Sequence, residues 1–321
     1  MQLKSMHTKQ VGVLGGSGFV GSAIVTKLAA AGYHVKVLTR RRESAKHLIL
    51  LPNVEVLECN VLDYKALNNT LRGVDVVINL LGILHQSSRN NFSIVHQQLP
   101  TQLAKICQDL SINRLIHMSS LGASKNAPSQ YLRSKAAGEE SLNAVKNQLN
   151  ITIFKPSVIF GRGDRFINLF AKLIKISPFI PLAKPDAKFQ PIWVEDVATC
   201  FLKAIDHAET FGKTYELVGP TVYKFRDLLH VIMHTMQINR PIIGLSDAMS
   251  NMQAFMMELL PIKLMSRDNV RSMEVDSVSS LPFPAAFNIT PTAIETIIPQ
   301  YLSNQTPRGE YDRFRRSAAR F

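Results

Sequence analysis

The stretch Val11-Gly12-Val13-Leu14-Gly15-Gly16-Ser17-Gly18-Phe19-Val20-Gly21 decides the fold. Its short apolar run, Val11, Val13 and Leu14, has the character of a central parallel strand. A glycine-rich turn follows, then a helical pattern over 19–31. Gly15 and Gly18 can turn the chain at positive φ and leave no side chain between the backbone and a pyrophosphate. Gly21 lets the helix pack closely on the strand. The loop and first helical turn, Ser17, Gly18, Phe19 and Val20, then face the phosphates with the positive end of the helix dipole. This is a dinucleotide-binding strand-turn-helix, and the glycines fit either Gly16-x-Gly18-x-x-Gly21 or Gly15-x-x-Gly18-x-x-Gly21.

At 321 residues and 46% hydrophobic, the chain can bury one large α/β core with an appended lobe. Its longest apolar stretches, such as 76–84, fall short of the roughly 18 residues that a spanning helix needs. The first ten residues have no apolar centre to act as a signal peptide. Cys59, Cys107 and Cys200 form no ligand cluster, which points to a reducing cytoplasm, and the scattered histidines predict no metal site. The formal charge of +13 is concentrated in Arg40-Arg41-Arg42 and in a tail with five arginines between Arg308 and Phe321. Such basicity attracts anions, but no motif supports nucleic acid.

Gly32 ends the first helix, and a second strand is expected over 33–39. An acidic residue at the end of that strand would bind a ribose 2′-hydroxyl, whereas arginine accommodates a 2′-phosphate. Arg40 and Arg41 stand there, which favours NADP(H) over NAD(H). A third strand is expected over 54–57, followed by Asn60 and Val61 where an adenine would lie. A fourth over 74–80 runs through Leu80 into Gly82, whose missing side chain admits a close ligand. His85 follows in a polar stretch, placed either to face a substrate or simply at the surface. The segment 94–110 reads as helical, with Pro100 marking a kink or break.

A fifth strand over 114–118 delivers Ser119 and Ser120. Eleven residues on, Tyr131-Leu132-Arg133-Ser134-Lys135 puts Tyr131 and Lys135 one helical turn apart on a shared face. A phenol of pKa about 10 is a weak acid-base at neutral pH, and an adjacent ammonium favours its phenolate. With Ser120 holding a carbonyl, Tyr131 can move the proton while hydride moves to or from a nicotinamide.

The ordered set of the glycine turn, Asn79-Leu80-Leu81-Gly82, Ser119-Ser120, Tyr-x-x-x-Lys and Lys155-Pro156-Ser157-Val158-Ile159-Phe160-Gly161 resembles an extended or atypical short-chain dehydrogenase/reductase, of the NAD-dependent epimerase/dehydratase kind. The resemblance covers nearly the whole chain and favours the second glycine spacing. It implies Ser120, Tyr131 and Lys135 as the catalytic triad, and Pro156 to Val158 as the segment against the nicotinamide. More narrowly, Tyr131 to Glu139, Gly161 to Phe166 and Ser266 to Val270 are similar to the dehydrogenase-like accessory subunit of respiratory complex I and its bacterial relatives. That resemblance implies tightly held NADPH and complex I subunits as partners.

The fold expected is therefore a Rossmann-type doubly wound parallel sheet of about seven strands with a smaller C-terminal capping lobe. Its divisions are a dinucleotide-binding core over 1–160, a lobe over 161–304 with elements returning to the sheet, and a basic tail over 305–321. In the lobe, helices are expected over 166–176, after the lead-in segment 191–196 as far as His207, and over 225–236, with an edge strand over 215–218 and a proline-broken stretch over 178–185. Met249, Met252, Phe255, Met256, Leu259 and Leu260 recur at helical spacing, either as core or dimer contact or as a face for an apolar substrate or membrane. Two functions follow. One is an NADP(H)-dependent reductase of a carbonyl or quinone-like apolar molecule; the other is a non-catalytic, nucleotide-stabilised subunit of complex I. Peripheral contact with an anionic membrane, at the inner face of the cytoplasmic membrane, is expected from the methionine helix and the arginine tail together.

Overall fold

The structure, a computed structural model, describes residues 8–86, 91–258 and 265–303. The expected tail and Leu259 and Leu260 lie outside the described residues. The chain forms two compact units. The first takes its described residues from 1–156, 194–217 and 281–289, and the second from 157–193, 218–280 and 290–303.

The first unit is built on a parallel sheet whose strands are β1 (Gln10–Leu14), β2 (His34–Thr39), β3 (Val54–Glu58), β4 (Val76–Asn79), β5 (Arg114–Met118), β6 (Asn150–Pro156) and β7 (Lys213–Leu217). The spatial order is β7-β6-β5-β4-β1-β2-β3, a doubly wound arrangement whose direction reverses between β1 and β4. Every pairing is parallel. Helices α1 (Phe19–Ala30), α2 (Tyr64–Thr70), α3 (Leu99–Asp109), α4 (Gln130–Asn143) and α6 (Val194–Ala204) flank it. β1, β4 and β5 are almost entirely buried, as central strands covered on both faces must be.

The late segments belong to this unit for identifiable reasons. α6 packs on α1, with an ion pair of 3.0 Å between Lys27 and Glu195. Phe287 is fully buried, its ring 5.4 Å from Phe154 and 5.1 Å from Tyr215. Lys203 donates to the Phe287 carbonyl at 2.6 Å.

The second unit has its own core, in which Phe160, Ile167, Ile180, Phe225, Leu228, Ile232 and Ile297 come from segments far apart in sequence. Its helices include α5 (Phe166–Ile176), α7 (Phe225–Met236), α8 (Asp247–Glu258) and α9 (Arg267–Ser272). Asp164 is buried and accepts from the Ile167 amide at 2.6 Å and the Gly161 amide at 3.2 Å, so it opens α5 and closes the Gly161 turn.

Some local expectations need correction. α6 stops at Ala204 and does not reach 207, because the chain turns there and the Ala204 carbonyl accepts from the Arg114 guanidinium at 2.6 Å. Pro100 neither kinks nor breaks the chain: it sits in the first turn of α3, where its missing N–H costs nothing, and a π-helical turn over Ser93–Gln98 precedes it. The proline-rich stretch over 178–185 contains a short strand, Ile180–Leu182, parallel to Ile242–Gly244. α8 buries only Ser250 and Ala254, while Met249, Met252, Phe255 and Met256 are exposed, so the methionine stripe is not core.

The turn from β1 into α1 generates a stability prediction. A Cβ on Gly21 would lie 2.2 Å from the Gly15 carbonyl oxygen, whereas one on Gly18 meets only that oxygen, at 3.3 Å. Chemical denaturation of the nucleotide-free protein should show Gly21→Ala costing about 2 kcal/mol or more. Gly18→Ala, which only loses a favourable N-cap residue, should cost less than about 1 kcal/mol.

Candidate active site

The glycine turn forms the first part of the site. Gly15 adopts φ +81°, and its carbonyl accepts from the Gly18 amide at 3.1 Å. Gly18 differs from expectation: it has φ −79° and ψ 176°, because it is the N-cap of α1 and must be extended there. No side chain caps α1. Its first-turn amides, those of Phe19 and Val20 among them, therefore lack intrahelical acceptors and are free for an anion. Ser17 is part-exposed in the same turn.

On the next strand over, Arg40 directly follows β2. Arg40, Arg41 and Arg42 are exposed, and among the described residues no carboxylate pairs with their guanidinium groups. Asn60 is exposed after β3, its side-chain oxygen accepting from the Leu62 amide at 3.3 Å, and Val61 is buried beneath it. Leu80 is buried at the end of β4, and its amide donates to the Leu14 carbonyl at 3.0 Å. A Cβ on Gly82 would stand 3.1 Å from the Lys135 ammonium. Glycines, unpaired arginines and an uncapped helix thus converge on the carboxyl ends of β1, β2 and β4, and they fit a dinucleotide.

Ser120, Tyr131 and Lys135 lie in the same unit. Ser120 follows β5, and α4 carries Tyr131 and Lys135, capped by Ser129, which accepts from the Leu132 amide at 3.2 Å. The Ser120 hydroxyl, which donates to the Leu121 carbonyl at 3.3 Å, lies beside the Tyr131 phenol. Burial raises the phenol above its ordinary value, and the neighbouring Ser120 hydroxyl only partly offsets this. Lys135 does not lower it as expected. Its buried ammonium instead donates to the Met118 carbonyl at 3.2 Å, and burial lowers it to about 8 against the opposing pull of Glu139.

Sequence reasoning missed the polar shell around this group. His96 and His117 are both 1% exposed. Burial, with Lys135 adding repulsion, lowers them to about 2 and about 3. The Asn79 side-chain oxygen accepts from the Leu81 amide at 3.1 Å, so its amide nitrogen donates to His117 Nδ1, also at 3.1 Å. That leaves the His117 Nε2–H buried with no hydrogen-bond partner among the described residues. Glu139, one turn beyond Lys135, accepts from the buried Ser119 hydroxyl and pairs with Lys155 at 3.2 Å. The available signal was periodicity: Tyr131, Lys135 and Glu139 recur every four residues.

Other predicted residues are dispersed. Pro156 ends β6 and accepts from the Leu121 amide at 3.0 Å, while Val158 belongs to the second unit. His85 is half-buried in the segment after β4. No group of three metal-ligating side chains exists among the described residues, although His230 and His234 do share one face of α7.

With this geometry the relationships are clear. The chain belongs to the NAD dependent epimerase/dehydratase family, which it matches over residues 11–217. It is 32% identical over 286 residues to the mitochondrial NADH dehydrogenase [ubiquinone] 1 alpha subcomplex subunit 9 of Arabidopsis thaliana, covering 84% of this chain and 70% of that protein. It is 31% identical over 189 residues to the ceramide reductase of Caulobacter vibrioides, covering 59% of this chain and 58% of the reductase. The dTDP-glucose 4,6-dehydratase of Streptomyces venezuelae, solved with NAD bound, shares the fold: TM-score 0.63 and 20% identity, over 73% of this chain and 84% of that one.

Lys135 generates a pH prediction. Its folded value, about 8, lies below the ordinary 10.5. Between these values the unfolded chain holds the proton more often than the folded one, so this group makes stability rise with pH across that window and lowers stability below it. Lys135→Met should stabilise the nucleotide-free protein at pH 7 by about 1–3 kcal/mol and remove that rise. Cys107 and Cys200, pushed up by burial, titrate in the opposite sense in both proteins and cancel in the difference between two urea-denaturation series.

Proposed function

We propose that the protein is an NADP(H)-dependent reductase that acts on a carbonyl of an apolar, lipid-like molecule. The observation that carries this reading is the grouping of the buried Tyr131 phenol, the Ser120 hydroxyl and buried Lys135 at the edge that holds the glycine turn and Gly82. Burial holds the Tyr131 phenol protonated at neutral pH, the form a proton donor needs, so the site suits reduction. Ser120 and Tyr131 would grip the substrate oxygen together, and Tyr131 would give it the proton. Lys135, one turn away on α4, supplies positive charge beside Gly82, where it would meet the nucleotide. The nucleotide, when bound, supplies the hydride. The glycine turn and the α1 N-terminus would hold its pyrophosphate, and Arg40 with Arg41 a 2′-phosphate. The ceramide reductase similarity supports a lipid-like substrate.

A second reading, a nucleotide-holding subunit of respiratory complex I, is favoured by the similarity to the Arabidopsis subunit over 84% of this chain. The chain spans only 58–70% of the length of these named relatives, so their activities and partners enter here as proposals. Titration followed by nicotinamide fluorescence separates the elements. NADPH should bind at least tenfold more tightly than NADH, and Arg40→Glu should abolish the difference; equal affinity in the wild type would defeat the arginine argument. Turnover with a long-chain keto lipid or a short-chain quinone should fall at least about 100-fold in Tyr131→Phe with nucleotide affinity unchanged. Inert NADPH, together with co-purifying complex I subunits, would favour the second reading.

Peripheral attachment to an anionic membrane belongs to the same proposal. No described helix is long and apolar enough to cross a membrane. α8, however, turns Met249, Met252, Phe255 and Met256 outward, opposite Ser250 and Ala254, and the sequence ends in an arginine-rich tail. Each arginine contributes about 1 kcal/mol near an anionic surface. In liposome flotation, binding should rise with anionic lipid, fall with salt and weaken in Met252→Ser/Met256→Ser. Protein that stays unbound at low salt would exclude direct lipid contact.

A further inference from the structure

His96 makes two hydrogen bonds and two ring contacts that the proposed chemistry does not use. Its Nε2 accepts from the Ile83 amide at 3.0 Å. Its Nδ1 therefore carries the proton and donates to the Ser134 hydroxyl at 2.8 Å, which donates in turn to the Tyr131 carbonyl at 2.7 Å. The imidazole also stands between two rings, stacked on Phe92 at 5.4 Å and edge-on to Tyr131 at 5.6 Å. One side chain thus links the segment that follows β4 to the turn of α4 that carries the tyrosine.

The backbone at His96 docks on the same helix. Residues Ser93–Gln98 form a wide π-helical turn, a feature often found at functional sites. The carbonyl of His96 reaches into α4 at Gly138, where a Cβ would lie only 2.0 Å from it. Side chain and main chain therefore fix His96 against α4 independently, and the ring has one tautomer available.

We propose that His96 is a positioning residue: it clamps the Gly82–Ile83 backbone against the Tyr131 helix and so sets the floor on which the nucleotide lies. A Cβ on Gly82 would be 3.6 Å from His96 Nε2 and 3.1 Å from the Lys135 ammonium, so the clamp, the glycine and the lysine meet at one point. The inference rests on the nucleotide-binding reading for its consequence but not for its geometry. A ring that gained a proton on Nε2 would lose the Ile83 amide and release the segment. Its burial against Phe92 and Tyr131, beside Lys135, keeps it neutral.

Two substitutions divide the clamp. Glutamine can place its side-chain oxygen where Nε2 lies and keep the Ile83 bond, while asparagine reaches only the Nδ1 position and keeps Ser134. In nucleotide-free protein, hydrogen exchange at residues 81–83 should be at least tenfold faster in His96→Asn than in the wild type. His96→Gln should restore it to within threefold. NADPH affinity should follow the same order, with the two variants equal in melting temperature. If either substitution prevents folding, ¹⁵N spectra of the wild-type histidines decide the matter: His96 should keep a bare Nε2 and a protonated Nδ1 from pH 5 to pH 8. Unchanged exchange in His96→Asn, equal losses in both variants, or a His96 that titrates near 6.5 would overturn the clamp. A wild type that binds neither NADPH nor NADH would sink the nucleotide reading, while exchange and ¹⁵N spectra would still judge the clamp.

Discussion

The place a Cβ would take on Gly21 lies 2.2 Å from the Gly15 carbonyl and 2.6 Å from the Gly16 Cα, so α1 can cross the end of β1 only while position 21 has no side chain. That approach fixes where the N-terminus of α1 points. Parallel register does the rest: Leu14 pairs with Leu38 on one side and with Asn79 on the other. Arg40, two residues past Leu38, and Gly82, three past Asn79, are thereby brought to the same edge as the glycine turn. The spacing of the site is a consequence of sheet geometry, since each strand advances about 3.3 Å per residue.

Behind that edge the sheet carries an unusual burden of buried polarity. Asn79 on β4 and His117 on β5 are paired neighbours in the register and hydrogen-bonded through their side chains. Lys135 reaches the carbonyl that ends β5, and Glu139 ties α4 to Ser119 and Lys155. A buried charge is costly unless it is paired. Here Lys135 has a carbonyl and only the more distant attraction of Glu139, while both histidines must stay neutral to avoid adding further positive charge. The arrangement is tuned toward an anion.

The elements legible in the sequence were those with local causes. Alternating or continuous apolar runs marked β1 to β5 and β7 but not β6, glycines marked the turn, and periodicity gave α5 and α7 their observed bounds. Ser120, Tyr131 and Lys135 could be named because two of them share a helix face and the third follows a strand. What escaped depended on tertiary contacts. The π-helical turn at His96 is dictated by a glycine forty-two residues later, and α8 has a helical pattern whether its methionines face in or out. The φ of Gly18 was misjudged because glycine permits both signs, and only its role as N-cap selects one.

Catalysis and nucleotide holding make different demands on the same residues, which makes them separable. Any anion held near Gly82 would offset the desolvation of Lys135, so a bound dinucleotide would stabilise the folded chain whether or not hydride ever moves. Lys135 therefore serves both readings. Tyr131 does not: its phenol is buried and kept protonated beside Ser120, and its ring contacts with Phe92 and His96 would survive in phenylalanine. A nucleotide-holding subunit would have no use for that oxygen, whereas a reductase would lose its proton donor with it. The difference between the two functions is thus carried by one hydroxyl group, while the cost of burying charge beside it is common to both.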